Sequence, residues 1–241
     1  MKVIGVIPAR MAATRLPGKP LLPIAGKPMI QWVWERARQA QTLHELYIAT
    51  PDAEIMQAAE SFGARAMLTS HAHRSGTDRL AEVARRTDGD IYVNIQGDEP
   101  LLDPRAIDCA VQPLLNDPQM MMSSLYCAAQ PHEYDQPSVV KVVLDQQGYA
   151  LYFSRSRIPY PREATDLPVY KHIGLYVYRR ALLLQFADWE PTPLERTEAL
   201  EQLRVLEHGY RIYMVPFEHA SIAVDTESDL ARVRQILERQ L

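Results

Sequence analysis

Short apolar runs alternate with amphipathic segments through the first half of this 241-residue chain, and this alternation is the feature that most constrains the fold. The runs that indicate buried strands are residues 3–7, 46–49 and 91–95. The segments with helical periodicity are residues 29–40, 53–62 and 77–86. Strands and helices in alternation wind into parallel sheets with right-handed crossovers. The pattern therefore predicts an α/β fold with a mostly parallel central sheet flanked by helices.

The second half of the chain is less regular. Residues 138–159 indicate two strands joined around Gln147-Gly148, which predicts an inserted hairpin, and residues 171–179 indicate a further strand. A helix is expected from about 194 to 207. The closing helix is expected after Asp225, with Thr226 as its N-cap and Asp229 at the capping-box position. Because no linker, low-complexity segment or repeat interrupts the chain, we predict a single domain over residues 1–241.

The charge of the chain is unevenly distributed. The net charge is −4, yet residues 1–40 carry seven cationic side chains and one acidic one. A protein that binds nucleic acid usually spreads its positive charge along a face, whereas here the cations lie in one loop and the helix after it. The distribution favours a small anionic ligand over a nucleic acid. The chain also lacks the apolar window of a membrane span, so we expect no membrane insertion and a cytoplasmic location.

The loop after the first strand contains Arg10, Arg15 and Lys19. In doubly wound folds this position binds phosphate groups, because loop and helix N–H groups are unpaired there. Pro20 directly after Gly18-Lys19 excludes a P-loop of the Walker type. The three cations are spaced to surround a polyphosphate, although a solvated basic loop would have the same composition.

Two acidic residues follow predicted strands. Asp98 comes after Gly97 at the end of the strand 91–95, and Asp225 directly precedes Thr226. Carboxylates at the carboxyl ends of strands suit Mg²⁺, which also takes phosphate oxygens. A turn at Asp98 and a helix-capping role for Asp225 remain open alternatives. The sequence does not show whether the two carboxylates meet.

Residues 73–83, "HRSGTDRLAEV", place hydrogen-bonding side chains ahead of a helix. Ser75 or Thr77 suits an ordinary helix N-cap, and the same side chains suit recognition of a ligand. The pattern does not separate the two roles.

Taken together, these segments resemble the 3-deoxy-manno-octulosonate (KDO) cytidylyltransferases, the CMP-KDO synthetases of Gram-negative lipopolysaccharide biosynthesis. The resemblance covers nearly the whole chain. Its motifs are "IPARMAATRLPGKPL", "HRSGTDRLAEV", "VNIQGDEPLL", "VKVVLDQQGYALYFSRSRIPY", "KHIGLYVYR", "PLERTEALEQLRVLEHGYRI" and "VDTESDL". It implies a Rossmann-like nucleotidyltransferase fold in which approximately residues 1–130 bind CTP, while residues 131–220 bind the sugar and supply a dimerisation extension. A homodimer is implied.

The implied reaction is attack by the anomeric 2-hydroxyl of KDO on the α-phosphate of CTP, which gives CMP-KDO and pyrophosphate. Catalysis would rest on Arg10, Lys19 and Asp98, with Mg²⁺ as the cofactor. The resemblance places CTP on Arg10, Arg15, Lys19, His73, Ser75 and Gly76; Mg²⁺ on Asp98 and Asp225; and the sugar on Gln96, Arg155, His172, Tyr176, Glu201 and Gln202. The chain departs from the family at Arg74, where Gln is frequent, and at Ala223, where Gly is frequent.

Two alternatives accompany this interpretation. The first is a cytidylyltransferase for a related acid sugar, such as 8-amino-KDO or a nonulosonate, and residues 149–202 would make the difference. The second is a nucleotide-binding module that has lost catalysis. The second requires a broken phosphate or metal site, whereas the cations and carboxylates of both motifs are all present.

Overall fold

The structure is a computed structural model that describes residues 1–12, 16–163 and 167–239. The chain divides into two compact units, the first formed by residues 1–108 together with 221–241 and the second by residues 109–220. The first unit therefore ends at residue 108 and includes the C-terminal helix. The division of binding roles near residue 130, which the family resemblance implies, stays a prediction.

In the first half of the described chain, strands and helices alternate as the sequence predicts. The strands are β1 (Val3–Pro8), β2 (Pro23–Ile24), β3 (Lys27–Pro28), β4 (Glu45–Thr50), β5 (Arg65–Leu68), β6 (Ile91–Asn94), β7 (Met122–Ala128), β8 (Lys141–Leu144), β9 (Ala150–Ser154), β10 (Tyr170–Arg179) and β11 (Tyr213–Pro216). The α-helices are α1 (Met29–Ala37), α2 (Ala53–Ser61), α3 (Gly76–Arg86), α4 (Pro104–Asn116), α5 (Arg180–Asp188), α6 (Pro193–Glu198), α7 (Gln202–Glu207) and α8 (Glu227–Glu238). Short 3-10 helices cover Lys19–Leu21 and Pro131–Glu133.

The first unit contains a parallel sheet in the order β6, β1, β4, β5. Strand β1, an inner strand of this sheet, is apolar on both faces, and its residues Val3, Ile4, Val6 and Ile7 are fully buried. Strands of this composition require helices on both faces, and α2 and α3 lie against the sheet. The α/β class predicted from the alternation is therefore confirmed.

The C-terminal helix α8 completes the core of the first unit. Its buried Leu230, Val233 and Leu237 pack in one cluster with Trp32 and Met29 of α1. The predicted capping box is present, since the Thr226 side chain accepts a hydrogen bond from the Asp229 amide. The segment before α8 is fixed by the Val224 amide, which donates to the Asp98 carbonyl over 2.9 Å. This bond brings the end of the chain to the residues that follow β6.

The second unit is built on β10, which pairs antiparallel with both β7 and β8. Strand β8 pairs with β9 to form the predicted hairpin, and β11 joins β7 in parallel. A bulge interrupts the β7–β10 pairing between Ile173 and Tyr176. A bulge changes the direction of the side chains around it, and this one lies between two of the predicted sugar-binding residues, His172 and Tyr176.

The helix predicted over residues 194–207 is wrong in one respect, because it is divided into α6 and α7. Ala199 adopts a left-handed conformation with φ of 51° and ends α6. A buried bidentate ion pair between Glu195 of α6 and Arg204 of α7 then holds the two short helices together. The tertiary contacts therefore override the continuous helical pattern of the sequence.

Across the described ranges, no helix has the length and apolar character required to cross a bilayer.

Candidate functional site

The first unit contains a cavity of about 330 Å³ at the carboxyl ends of β1 and β6, which we call the cationic cavity. It is lined by segments that follow these two strands, by the start of α3 and by the residue before Thr226. Its charged lining residues in the described part of the chain are Arg10, Lys19, Arg74, Arg79, Asp98 and Asp225. Ligands of open α/β sheets bind at this end of the strands. The position and charge of the cavity suit an anion.

Lys19 lies at the centre of the charged groups. Its Nζ is 2.7 Å from Asp98 Oδ2 and 3.3 Å from Asp225 Oδ1, and it donates to the Val224 carbonyl over 2.9 Å. The two carboxylates whose proximity the sequence left open are therefore brought together around one ammonium group.

Gly97 permits this arrangement. A Cβ atom at this position would stand 2.7 Å from the backbone oxygen of Pro8, a distance that side chains do not tolerate. The residues after β6 can therefore run directly against the end of β1, and Asp98 is placed beside the loop that carries Lys19. A glycine is therefore required before Asp98 for a steric reason.

The carboxylate pair suits a divalent cation. Two hard oxygen donors close enough to share one ammonium group match the preference of Mg²⁺, which takes its remaining oxygen ligands from water and phosphates. In the described part of the chain no group of three or more His, Cys, Asp or Glu side chains forms a complete cage. A metal here would therefore complete its coordination with oxygens from water or from a ligand such as a phosphate.

Glu99 adds little negative charge to this pair. Burial raises the pKa of Glu99 to about 8, and the neighbouring Asp98 carboxylate contributes to the increase. At neutral pH the Glu99 carboxyl is mostly protonated. Asp98 and Asp225 are therefore the acids available to a cation.

The start of α3 forms another wall of the cationic cavity. Ser75 caps this helix, because its side chain accepts from the Asp78 amide over 3.1 Å, and it also lines the cavity with Gly76. Ser75 is therefore the helix N-cap and also part of the cavity wall, while its recognition of a ligand stays a prediction. His73 lies apart from the lining, with its Nε2 paired at 2.6 Å to Glu82 Oε2.

Arg79 was missed by the sequence analysis. It lies one helical turn after Ser75 and is only 4% exposed, and its guanidinium donates to Thr69 Oγ1 and to the Ser70 carbonyl. Burial lowers the pKa of Arg79, and the nearby Arg10 lowers it further. The available signal was its i, i+4 spacing from Ser75, which puts both side chains on one face of the helix. Arg15 of the predicted set lies outside the described residues.

Four predicted sugar-binding residues lie around the bulge of β10 and the start of α7 in the second unit. The His172 and Tyr176 rings have centroids 5.2 Å apart, and the Tyr176 hydroxyl donates to Gln202 Oε1 over 3.2 Å. Burial raises the pKa of Tyr176. The fourth residue, Glu201, raises that pKa further through its negative charge. Gln202 is 2% exposed, and its Nε2 has no hydrogen-bond partner among the described residues.

His172 is neutral in this cluster. Burial lowers its pKa to about 3, and its Nε2 forms a 2.7 Å hydrogen bond with Ser124 Oγ. A neutral imidazole, a phenol and a primary amide are hydrogen-bonding groups without charge. The cluster therefore suits hydroxyl groups better than a carboxylate.

Arg155 has extensive contacts with the chain itself. Its guanidinium donates to the carbonyls of Glu198 at 2.7 Å, Pro137 at 2.9 Å and Ala199 at 3.1 Å. These bonds use three of its five N–H groups. The structure thus places Arg155 as a brace for the segment that precedes Glu201. The remaining predicted residue, Gln96, belongs to the first unit, where it lines the cationic cavity.

Lys141 supports Arg155 and was also missed. Its side chain is fully buried, and its Nζ donates to the carbonyls of Gln136 at 2.9 Å, Val139 at 2.6 Å and Arg155 at 2.5 Å. Within an apolar strand sequence the residue resembles an outward-facing lysine, so the pattern carries no signal of its buried role.

Known proteins that are about half identical to this chain belong to one family. Residues 4–212 match the family model described as cytidylyltransferase. The chain is 51% identical over 251 residues to the 3-deoxy-manno-octulosonate cytidylyltransferase of Geotalea uraniireducens, covering 99% of this chain and 100% of that protein. It is also 51% identical over 242 residues to the enzyme of the same name from Solibacter usitatus, covering 100% and 96%.

Solved structures extend the comparison to the fold. A CMP:2-keto-3-deoxy-manno-octonic acid synthetase solved in complex with CTP superposes with a TM-score of 0.97 at 44% identity, over 100% of both chains. The 4-diphosphocytidyl-2C-methyl-D-erythritol synthase of Anaerococcus prevotii, at 12% identity and a TM-score of 0.66, shares the fold alone. The expected nucleotidyltransferase fold is confirmed. The chain belongs to the 3-deoxy-manno-octulosonate cytidylyltransferase family.

Proposed function

We propose that this chain transfers CMP from CTP to the anomeric 2-hydroxyl of KDO and releases pyrophosphate. The observation that carries the proposal is the contact of Lys19 with both Asp98 and Asp225 inside the cationic cavity. The same cavity offers Arg10, Arg74 and Arg79 to a triphosphate. Relatives about half identical over their full lengths carry the name of this activity.

The transfer requires little covalent chemistry from the protein. The sugar hydroxyl oxygen forms a bond to the α-phosphorus, the bond from the α-phosphorus to the bridging oxygen of pyrophosphate breaks, and the hydroxyl proton is released. The protein's contribution to such a reaction is positioning and neutralisation of the developing negative charge. Lys19 and Arg10 supply preorganised positive charge, and Arg15 is proposed to join them from the same loop.

The proposed cofactor is Mg²⁺, held by Asp98 and Asp225. When bound, it would neutralise phosphate oxygens and withdraw electrons from them. The fit rests on the proximity of the two carboxylates through Lys19, and the ligand's phosphate would complete the coordination.

The proposed nucleotide contacts of Ser75 and Gly76 are supported by their positions on the cavity wall. His73 is proposed to act through the loop that it ties to Glu82. For the sugar we propose hydrogen bonds from His172, Tyr176 and Gln202, and the unpartnered Gln202 Nε2 supports this assignment.

Gln96, Glu201 and Arg155 complete the proposed sugar set. Arg155 keeps two N–H groups beyond its three bonds to carbonyls. A homodimer, a cytoplasmic location and a role in lipopolysaccharide biosynthesis belong to the same proposal.

The test is product formation by the purified full chain with CTP, KDO and Mg²⁺, followed by pyrophosphate release and the mass of the nucleotide sugar. Parallel reactions contain 8-amino-KDO or a nonulosonate in place of KDO, and ATP, GTP or UTP in place of CTP. We expect CMP-KDO from CTP and KDO at the highest kcat/KM. Turnover of another acid sugar but not KDO would overturn the substrate assignment and leave the chemistry intact. No turnover with any pair would overturn the proposed function.

A further inference from the structure

Asp52, the residue before α2, makes an unusual use of its side chain. An aspartate at a helix N-cap usually accepts hydrogen bonds from the first amides of its own helix. The Asp52 side chain makes no such cap bond. Its Oδ2 instead accepts from the backbone N–H of Met11 over 2.7 Å, across 41 positions of sequence. The carboxylate therefore accepts a hydrogen bond from the loop after β1 and makes no side-chain cap bond to α2.

Met11 is the residue that closes this loop. Its carbonyl accepts from the Gly18 amide over 3.1 Å, while its own amide is held by Asp52. Arg10 directly precedes Met11, and Lys19 directly follows Gly18. One hydrogen bond from Asp52 therefore fixes the point from which both of these cavity cations extend.

The negative charge of Asp52 lies near the cations of the cavity. Burial and the nearby Arg10 lower the pKa of Arg79, and Asp52 is close enough to raise it. A carboxylate beside a cavity for anions weakens anion binding by Coulomb repulsion. Its placement there is explained by the hydrogen bond it accepts, which is stronger for a charged acceptor than for a neutral one.

We propose that Asp52 is a positioning residue of the loop after β1, and that its carboxylate holds Met11 so that Arg10 and Lys19 meet the phosphates of the nucleotide. The inference rests on the proposed function for the identity of the nucleotide. It assigns to Asp52 a role in affinity for the triphosphate through backbone placement, and no contact with the nucleotide itself.

The experiment compares three substitutions of Asp52 in the full chain. Asp52→Asn keeps an oxygen acceptor and removes the charge, whereas Asp52→Ala removes the acceptor. Asp52→Ser also loses the reach to Met11 but supplies a good N-cap for α2, so the helix remains stabilised. Glu54→Ala, in the first turn of the same helix, is the matched control for a lost acidic group.

The measurements are the Kd of CTP by calorimetry, the KM for CTP and kcat, and amide hydrogen exchange of the peptide that contains Met11. We expect Asp52→Ala and Asp52→Ser to raise the Kd and KM for CTP about 10-fold or more, which is the usual worth of a hydrogen bond to a charged group. The kcat at saturating CTP should fall less, and exchange at Met11 should become faster. Asp52→Asn should weaken CTP binding less than Asp52→Ala does, because it keeps a neutral acceptor, and Glu54→Ala should stay within about 3-fold of the wild type.

Three results would overturn the inference: unchanged CTP affinity in Asp52→Ser, tighter binding in all three variants, or equal weakening in Asp52→Asn and Asp52→Ala. The first excludes a role in binding, the second leaves only charge repulsion, and the third shows that the charge rather than the hydrogen bond matters. These results are read from CTP binding alone. A wild-type chain that binds CTP with the expected variant pattern but forms no CMP-KDO would therefore contradict the proposed function and support the role of Asp52.

Discussion

The ammonium group of Lys19 lies 2.7 Å from the carboxylate of Asp98, although the two residues belong to motifs that suggest different partners. Lys19 was assigned to phosphates and Asp98 to a metal ion. Their contact puts both assignments at one place in the first unit, where the proposed divalent cation would compete with Lys19 for the same carboxylate oxygens. Lys19, Asp98 and Asp225 together carry a formal charge of −1, whereas the charged lining as a whole has four cations and two acids among the described residues.

Substitution of Lys19 by Met should slow the reaction strongly. The change keeps the length of the side chain and removes a preorganised cation, which typically contributes about 2–4 kcal/mol to the stability of a charged transition state. We expect kcat/KM to fall by the corresponding factor, measured as pyrophosphate release over a range of CTP concentrations.

The matched control for this prediction is Lys27→Met, because Lys27 pairs with Glu35 and is absent from the cavity lining. Its activity should remain near that of the wild type. Equal activities of the two variants would show that Lys19 acts as a solvated charge only.

Asp98→Ala should remove the dependence of turnover on Mg²⁺ together with most of the turnover. The substitution leaves Asp225 as the remaining carboxylate beside Lys19, and one acid does not retain a hard cation well. The measurement is initial rate against Mg²⁺ concentration, with EDTA as the zero point and thermal unfolding to check the fold. Asp103→Ala, a control that removes a nearby acid paired with Arg105, should keep the wild-type Mg²⁺ curve. Near-normal turnover of Asp98→Ala would refute the metal role.

The sequence predicted the elements of the first unit well, since β1, β4 and β6 have apolar runs and α2, α3 and α8 have clear periodicity. Local patterns of this kind are set by neighbours in the chain. The break at Ala199 was not predictable in this way, because alanine favours a continuing helix and the left-handed turn depends on tertiary contacts.

In the candidate site, too, some residues were predictable from the sequence and others were not. Its cationic loop and its two acids were predictable, because strand ends in α/β folds meet at one edge of the sheet. Asp52 and Lys141 were not, because their local patterns are those of an ordinary helix cap and an outward-facing lysine. Arg79 carried only the weak signal of its spacing from Ser75. A carboxylate that bonds a remote amide has the same local pattern as an ordinary helix cap.

Lys141→Met should destabilise the chain and weaken sugar binding. The buried ammonium donates to three backbone carbonyls, and these would lose a partner in a partly buried place. Burial lowers the pKa of Lys141, so part of the cost is offset by removal of a desolvated charge. We expect a loss of about 2–4 kcal/mol in the free energy of unfolding, measured with urea. The KM for the sugar should rise more than the KM for CTP, because Lys141 supports Arg155.

Lys171→Met is the control for Lys141, since Lys171 forms an ion pair with Glu133 nearer the surface. Lys171 donates to the two oxygens of one carboxylate, so this variant controls for the loss of a largely buried cation. A loss of stability in Lys141→Met no larger than in this control, with an unchanged sugar KM, would contradict the bracing role.

The stability of the chain should fall as the pH decreases below about 6.5, and His172 should account for part of the decrease. Burial lowers the pKa of His172 to about 3 in the folded chain, whereas an unfolded histidine titrates near pH 6.5. Between these values the unfolded chain binds a proton that the folded chain does not, so the free energy of unfolding decreases toward low pH. The contribution of His172 to stability is complete above about pH 6.5.

His172→Gln keeps a neutral hydrogen-bonding side chain and should show a smaller loss of unfolding free energy between pH 7 and pH 4.5, measured with urea. His219→Asn controls for the removal of an exposed imidazole. A loss in His172→Gln as large as in the wild type would mean that His172 is protonated in the folded chain, and the neutral hydrogen-bonding cluster with Tyr176 and Gln202 would have to be abandoned.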